Sequence, residues 1–322
     1  MITENAFPLA PPSDVESIND YNKLKTLDTN GFIKESEWFS RSEFSDEYKR
    51  NLLVDSDRTG MAASNRHHWY ARMACDSINC PSPIRSWYQS EIRATLENSK
   101  YFAESPKTAL ALRKYIASQF KPSAALAIYR YFDAQSVYDP CGGWGDRLVA
   151  AMAGGIRYHC RETNPLVIAA NAAMQNQYDH SQQVSFEYKG SEIDAPDGEF
   201  DMAFTSPPYW KAEKYQGNKS SHAVYKKFDD WMSGFMFPMV DNALKAVKSG
   251  GIVAINVSDI YANHTYNKIV QPVISQYLHW SPYVIGYKMA KRVGSKSNQE
   301  GVFAEPIIIL TKKSSRITYE NL

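Results

Sequence analysis

The strongest constraint on the fold sits at residues 201–210, Asp201-Met202-Ala203-Phe204-Thr205-Ser206-Pro207-Pro208-Tyr209-Trp210. An apolar run of strand character meets two consecutive prolines there. Proline fixes φ and donates no N–H, so a sheet ladder cannot continue through the pair. The residue before each proline is also kept out of the helical region, which leaves a stiff, extended lip. That lip carries one hydroxyl (Ser206), backbone carbonyls and one ring (Tyr209). In open α/β sheets, ligands bind beyond the carboxyl ends of the strands. Pro-Pro-Tyr alone would equally suit a polyproline segment docking on a partner. What decides between the two lies about sixty residues upstream, the spacing that two βαβ units need.

That upstream feature is Val137-Tyr138-Asp139-Pro140-Cys141-Gly142-Gly143-Trp144-Gly145-Asp146-Arg147-Leu148. A short strand enters a glycine-rich turn, and a helix leaves it. Glycines let a backbone approach a ligand closely, and the helix start presents free N–H groups. Two acids, Asp139 and Asp146, and the absence of a Walker lysine argue against a nucleoside triphosphate. A cationic sulfonium amino acid joined to adenosine suits the turn better. A second strand, residues 156–161, ends at Glu162, where dinucleotide-type folds hold a ribose diol. Asn164-Pro165 opens the next helix, and a third strand, residues 184–188, leads to Gly190-Ser191-Glu192. This turn is a candidate for the adenine side, or a plain β-turn.

The chain has 322 residues, 43% of them hydrophobic, which suits one large domain or one domain with an extension. Net charge is +1, so any nucleic-acid surface must be a local patch. Four cysteines do not form a disulfide framework at this length and suggest a reducing compartment. The first dozen residues lack the pattern of a secretory signal, and no apolar run approaches the roughly 20 residues that span a bilayer. The expectation is a cytoplasmic protein.

Asp139-Pro140-Cys141-Gly142-Gly143-Trp144-Gly145 followed by Thr205-Ser206-Pro207-Pro208-Tyr209-Trp210 resembles the paired signature of S-adenosylmethionine-dependent DNA amino-methyltransferases, of the kind found in restriction-modification systems. Ser-Pro-Pro-Tyr is the form usual in cytosine-N4 enzymes, and Asp- or Asn-Pro-Pro-Tyr is commoner in adenine-N6 enzymes. Phe120-Lys121-Pro122 resembles the family's Lys-Pro element, and residues 249–257 its glycine turn and fifth strand. Cys141 and Trp144 depart from the usual Phe and small residue, which points to a subfamily. The resemblance covers residues 120 to 312. It implies an α/β, Rossmann-like class I methyltransferase sheet, mostly parallel with one antiparallel strand, over residues 120–322. Residues 1–119 are then an N-terminal, mainly helical and irregular extension and a candidate DNA-recognition region.

The resemblance also implies roles. S-adenosyl-L-methionine is the cofactor, held by Lys121, Asp139, Cys141, Gly143, Trp144, Gly145, Asp146, Glu162, Asn164, Ser191 and Thr205. Ser206, Pro207, Pro208 and Tyr209 are the catalytic set. An exocyclic amino group is a poor nucleophile because its lone pair is delocalised into the base. Accepting hydrogen bonds from its protons pulls the nitrogen toward tetrahedral geometry; Ser206 and the Pro207 carbonyl are the candidate acceptors. Tyr209 would stack on a base extruded from double-stranded DNA. Direct transfer then needs proximity and no covalent intermediate. Cytosine C5 methylation would need a nucleophilic cysteine, and neither Cys141 nor Cys160 is placed for it.

The remaining segments are weaker signals. Residues 1 to about 50 read as an irregular arm with short helices near 20–27 and 41–50, followed at 105–120 by a longer helix. Arg66, His67, His68, Trp69, Tyr70 and Arg72 interleave cations with rings, which suits phosphate contact and base stacking. An aromatic-rich helical region with snorkelling arginines is the alternative. His67, His68, Cys75 and Cys80 do not have the spacing of a zinc site. Trp210, Lys214 and Tyr215 head a polar stretch running to about residue 227, read as a mobile flap over the substrate. Arg292 and Lys296 lie in a second basic loop, which is read as a further DNA contact. Residues 228–247 read as an amphipathic helix. An RNA or protein-amide methyltransferase, or a non-catalytic relic of the fold, remains open, and the oligomeric state does not follow from the sequence.

Overall fold

The computed structural model describes residues 6–42, 44–77, 80–113, 116–179, 181, 183–210, 213–215, 219–257, 268–289 and 301–312. The chain begins with α1 (Asp14–Lys25), β1 (Ile33–Glu35), β2 (Trp38–Phe39), β3 (Lys49–Val54), α2 (Met61–Met73) and β4 (Asp76–Ser77). Three helices follow, α3 (Pro83–Trp87), α4 (Ser90–Glu97) and α5 (Pro106–Arg113). Then come α6 (Pro122–Tyr131), β5 (Ser136–Asp139), α7 (Asp146–Gly154), β6 (Arg157–Arg161), α8 (Pro165–Tyr178), β7 (Val184–Glu187) and β8 (Phe200–Thr205). The last third holds β9 (Glu213–Lys214), α9 (Ser221–Val224), α10 (Phe228–Trp231), α11 (Phe237–Ala246), β10 (Val247–Asn256), α12 (Val270–Gln276), β11 (Tyr283–Lys288) and β12 (Val302–Thr311).

The main sheet runs β1-β3-β11-β12-β10-β8-β5-β6-β7. From β10 to β7 all pairings are parallel, and β12 is antiparallel to both β10 and β11. This is the expected Rossmann-like α/β sheet. Its chain order reverses beside β5, which pairs β6 on one side and β8 on the other, so the carboxyl ends of these strands open a crevice.

Local chemistry starts the elements where they start. Ser13 and Glu16 form a reciprocal capping box on α1. Pro122 and Pro165 sit in the first turns of α6 and α8, where a missing N–H costs nothing. One face of the sheet buries Leu24, Ala63, Leu126, Ile128, Leu148, Val149 and Met174 from α1, α2, α6, α7 and α8. The other face buries Trp231, Met236, Val240, Val273 and Ile274 from α10 to α12. Between α10 and α11 the helix widens into one π-turn, Met232–Met236, so the expected helix over 228–247 is one body with a bulge.

The N-terminal region is mainly helical, as expected, but it differs in detail. The helix read near 20–27 begins earlier, at Asp14, because the capping box fixes its start. No helix spans 41–50: residues 49–54 form β3, whose inward-facing Leu53 and Val54 complete the sheet beside β11. Of the helix read over 105–120, α5 covers Pro106–Arg113, and residues 116–120 are irregular. Residues on both sides of the expected boundary at 119/120 share one core, Leu24, Val54 and Ala63 packing with Ala124 and Leu126. Among the described residues, no helix is long and apolar enough to cross a membrane.

Candidate active site

A cleft of about 1160 Å³, solvent at its mouth included, lies at the carboxyl ends of β5, β6 and β8. The glycine turn forms its floor. Gly142 N–H donates to Arg161 O and Gly143 N–H to Glu162 Oε2, tying the turn to β6. A Cβ on Gly142 would stand 2.8 Å from Cys160 Sγ, so the turn has no room for a side chain there. Gly145 has φ +72°, and a Cβ on it would meet Met174, Asn171 and His68.

Glu162 stands at the cleft wall with its carboxylate fixed from behind. Besides Gly143, the N–H groups of Thr163 and Asn164 donate to Oε1, at 2.8 and 2.9 Å. Burial pushes its carboxyl up, against the pull of these three donors. Asn164 caps α8 through Leu166 N–H, and Ser191, held where its carbonyl accepts from Asn242, faces the cleft. Asp146 opens α7 and is buried; its Oδ1 accepts from Ser64 Oγ at 2.5 Å and Gln119 Nε2 at 2.8 Å. Burial raises its carboxyl to about 6. Ser64 and Gln119 come from the N-terminal region, and no motif marks either.

On the facing side Ser206, Pro207, Pro208 and Tyr209 leave β8 along the cleft. The Tyr209 hydroxyl lies 3.1 Å from Ser206 Oγ and within 3.2 Å of both oxygens of Asn256, at the end of β10. Trp144 lines the cleft and meets the Tyr215 ring at 5.7 Å. Phe120 also lines it, stacked on Tyr287 at 4.5 Å.

Several expected site residues lie elsewhere. Asp139 is fully buried behind the turn, where Arg147 Nε at 2.7 Å, Tyr158 Oη at 2.6 Å and Cys141 N–H occupy its oxygens. It shapes the turn and does not reach the cleft. Arg147 in the first turn of an otherwise apolar helix was the available signal of this pair. Thr205 likewise points inward, its Oγ1 accepting from Cys141 N–H. Lys121 does not line the cleft; its Nζ donates to Ser56 Oγ. Gly145 does not line the cleft either, and its α-carbon faces Met174, Asn171 and His68.

The expected DNA contacts fare less well. Arg66 pairs with Asp14 of α1, the His67 ring packs edge-on against Tyr178, and Trp69 packs on Phe7. His68 is buried against Asn171 Oδ1 and driven down to about 3 by burial. These side chains join α2 to α1, α8 and the N-terminal arm. Trp210 is buried between Phe228 and Trp231 and belongs to the core. Lys214 is exposed on β9, which pairs with β4, and Tyr215 covers the cleft beside Trp144. Arg292 and Lys296, like residues 211, 212 and 216–218 of the expected flap, lie outside the described residues.

Cys141 and Cys160 are both pushed well up by burial and by the charges of Asp139 and Glu162, so neither offers a thiolate. Of the four cations lining the cleft, Arg147 is matched by Asp139, Arg161 by Glu187 and Asp194, and Lys189 by Asp194, while Lys219 lies over the Tyr188 ring. The cleft therefore combines a glycine-turn floor, a backbone-anchored carboxylate and a hydroxyl on a proline-stiffened lip.

No family model matches the chain, and no curated protein matches it. Among solved structures, an S-adenosylmethionine-dependent O-methyltransferase from Thermotoga maritima is 13% identical, with 65% of this chain and 71% of that one covered and a TM-score of 0.43. TehB from Haemophilus influenzae is 10% identical over 64% of this chain and 66% of its own, with a TM-score of 0.40. A precorrin-6y C5,15-methyltransferase from Geobacter metallireducens is 16% identical over 60% and 87%, with a TM-score of 0.39.

Proposed function

We propose that the protein is an S-adenosylmethionine-dependent methyltransferase acting on the exocyclic amino group of a base in DNA, cytosine N4 first. The observation that carries this reading is that Ser206-Pro207-Pro208-Tyr209 and the anchored Glu162 line one cleft, beyond the ends of β8 and β6 on either side of β5. The donor set fits the cofactor. Glu162, with both oxygens steadied by backbone N–H groups, suits a ribose diol, and Ser191 suits the adenine side. Asp146, at the cleft wall, suits an ammonium group. Carboxylates hold Arg147, Arg161 and Lys189, which leaves Lys219 as the cleft cation without a carboxylate beside it among the described residues, and one such charge is a poor match for a triphosphate.

When bound, the cofactor would supply a methyl group on a positively charged sulfur, which would take back the C–S electron pair as the amino nitrogen bonds to carbon, the surplus amino proton passing to solvent. The protein's own part is acceptance and orientation. Ser206 Oγ and the Pro207 carbonyl accept from the two amino protons and localise the nitrogen lone pair. Tyr209, its hydroxyl tied to β10, offers its ring to the base. Trp144 and Tyr215, in ring contact at 5.7 Å, lie over the cleft and would cover the bound cofactor.

The test is transfer of labelled methyl from S-adenosylmethionine to unmethylated DNA, followed by nucleoside mass spectrometry. Wild type is expected to yield N4-methylcytosine, and Ser206→Ala to lose at least about 100-fold in rate with cofactor binding retained. N6-methyladenine would keep the chemistry and change the base. Transfer to RNA or to a protein amide, but not to DNA, would replace the substrate. Absence of cofactor binding by calorimetry would defeat the proposal.

A further inference from the structure

We infer that Asn256 fixes the direction of the hydrogen bonds at the catalytic lip, so that Ser206 meets its substrate as an acceptor. The inference rests on the methyl-transfer reading above and names a positioning residue that no motif marks. Asn256 ends β10, next to β8, and is 2% exposed. Its Nδ2 donates to Pro306 O of β12 at 3.3 Å, which settles the orientation of the amide. Oδ1 therefore turns to the other side, where it lies 3.1 Å from Tyr209 Oη and 3.5 Å from Ser206 Oγ. The backbone carbonyl of Asn256 lies 3.2 Å from the same phenol oxygen.

Both oxygens that Asn256 presents are acceptors only. The phenol has one proton, and it goes to them. The phenol oxygen is then left to accept, and Ser206 Oγ, 3.1 Å away, gives it its own proton. The lone pairs of Ser206 are thereby turned toward the cleft. A hydroxyl can ordinarily act either way, so this polarity is a choice made by the amide at the end of β10. It favours substrates that bring an N–H to the lip and disfavours those that bring a carbonyl oxygen, whose lone pairs would face those of Ser206.

The amide has two separable jobs, and the test separates them. Asn256→Ala removes the acceptor and the donor. Asn256→Asp keeps an acceptor toward Tyr209 but loses the amide donor to Pro306. If Asn256 acts by accepting, kcat for methyl transfer to unmethylated DNA falls about 10- to 100-fold in Asn256→Ala, as for outer partners that orient metal ligands. Asn256→Asp stays within about threefold of wild type, and cofactor Kd by calorimetry stays within about twofold in both. Tyr209→Phe, which removes the group that takes the Ser206 proton, falls with Asn256→Ala and covers the case that either Asn256 variant fails to fold. An Asn256→Asp rate as low as that of Asn256→Ala, or unchanged rates in Asn256→Ala or Tyr209→Phe, would overturn the inference alone. A wild type that binds cofactor but methylates neither DNA, RNA nor protein overturns the functional reading with it.

Discussion

Arg147 closes over Asp139 at 2.7 Å with both side chains buried, so the acid that opens the glycine turn holds the turn together. Three groups converge on that carboxylate: the guanidinium, the Tyr158 hydroxyl and the Cys141 N–H. Asp139→Asn leaves the Arg147 charge in the core without its counter-charge. The expected cost is about 3–5 kcal/mol in urea unfolding. Cofactor affinity of the folded fraction changes much less than stability does.

Asp146 gives stability a pH dependence of opposite sign to that of an ion-paired acid. Burial pushes its folded carboxyl up to about 6 from an ordinary value of 3.8. The native state therefore holds the proton through that window while the unfolded chain releases it. The contribution is full below the lower value and is lost as pH rises through the upper one, by about 3 kcal/mol for a shift of this size. Asp146→Asn keeps an oxygen for Ser64 and Gln119, and it is expected to flatten the profile between about pH 4 and 6. Chemical denaturation at a series of pH values measures this.

Glu162 anchors three N–H groups at the cleft wall, and Glu162→Ala leaves all three without their acceptor. Calorimetry is expected to show cofactor binding weakened about 10- to 100-fold, the worth of one or two bonds to a charged group. A Kd within threefold of wild type would remove Glu162 from the cofactor site.

Gly145→Ala combines a positive φ with close approach to Met174 Cε at 2.5 Å, Asn171 Oδ1 at 2.7 Å and His68 Nε2 at 2.9 Å. A loss of at least about 2 kcal/mol is expected by thermal unfolding. Gly155→Ala, with φ +67° and open space around it, is expected to lose about 1 kcal/mol. The difference between the two is the packing contribution.

Trp210→Ala tests the reassignment of that ring from DNA contact to core. It is expected to lose about 3–5 kcal/mol in stability. DNA affinity of the folded variant stays within about twofold if the ring has no part in binding.

The sequence was most legible where backbone chemistry is most restrictive. The two prolines after Ser206 and the glycines after Asp139 allow few conformations, and both turns lie where those restrictions put them. The strands at 157–161, 184–187 and 247–256 were readable for the same reason, as apolar runs between turn residues. Long-range partners were not. Nothing local tells that Ser64 and Gln119 meet Asp146 or that Asn256 meets Tyr209, and for Asp139 the one hint of its partner is Arg147 in the first turn of an apolar helix. The cation-and-ring pattern at 66–72 was ambiguous because arginines and aromatics serve interhelix packing as readily as phosphate contact, and here His67, His68 and Trp69 pack inward. The strand at 49–54 was missed because its charged first half hides the two residues that the sheet buries.

The position of β3 also bears on how the molecule is made. It lies parallel to β11, and Asp55 and Lys288, 2.6 Å apart, are 233 residues apart along the chain. During synthesis, Leu53 and Val54 leave the ribosome long before the strand they pair with exists. This side of the sheet can close only once β11 has emerged, so a product that stops before residue 283 keeps β3 paired with β1 alone and its other edge open. Order of synthesis is thus written into the sheet, because an open strand edge is a template for pairing with another chain.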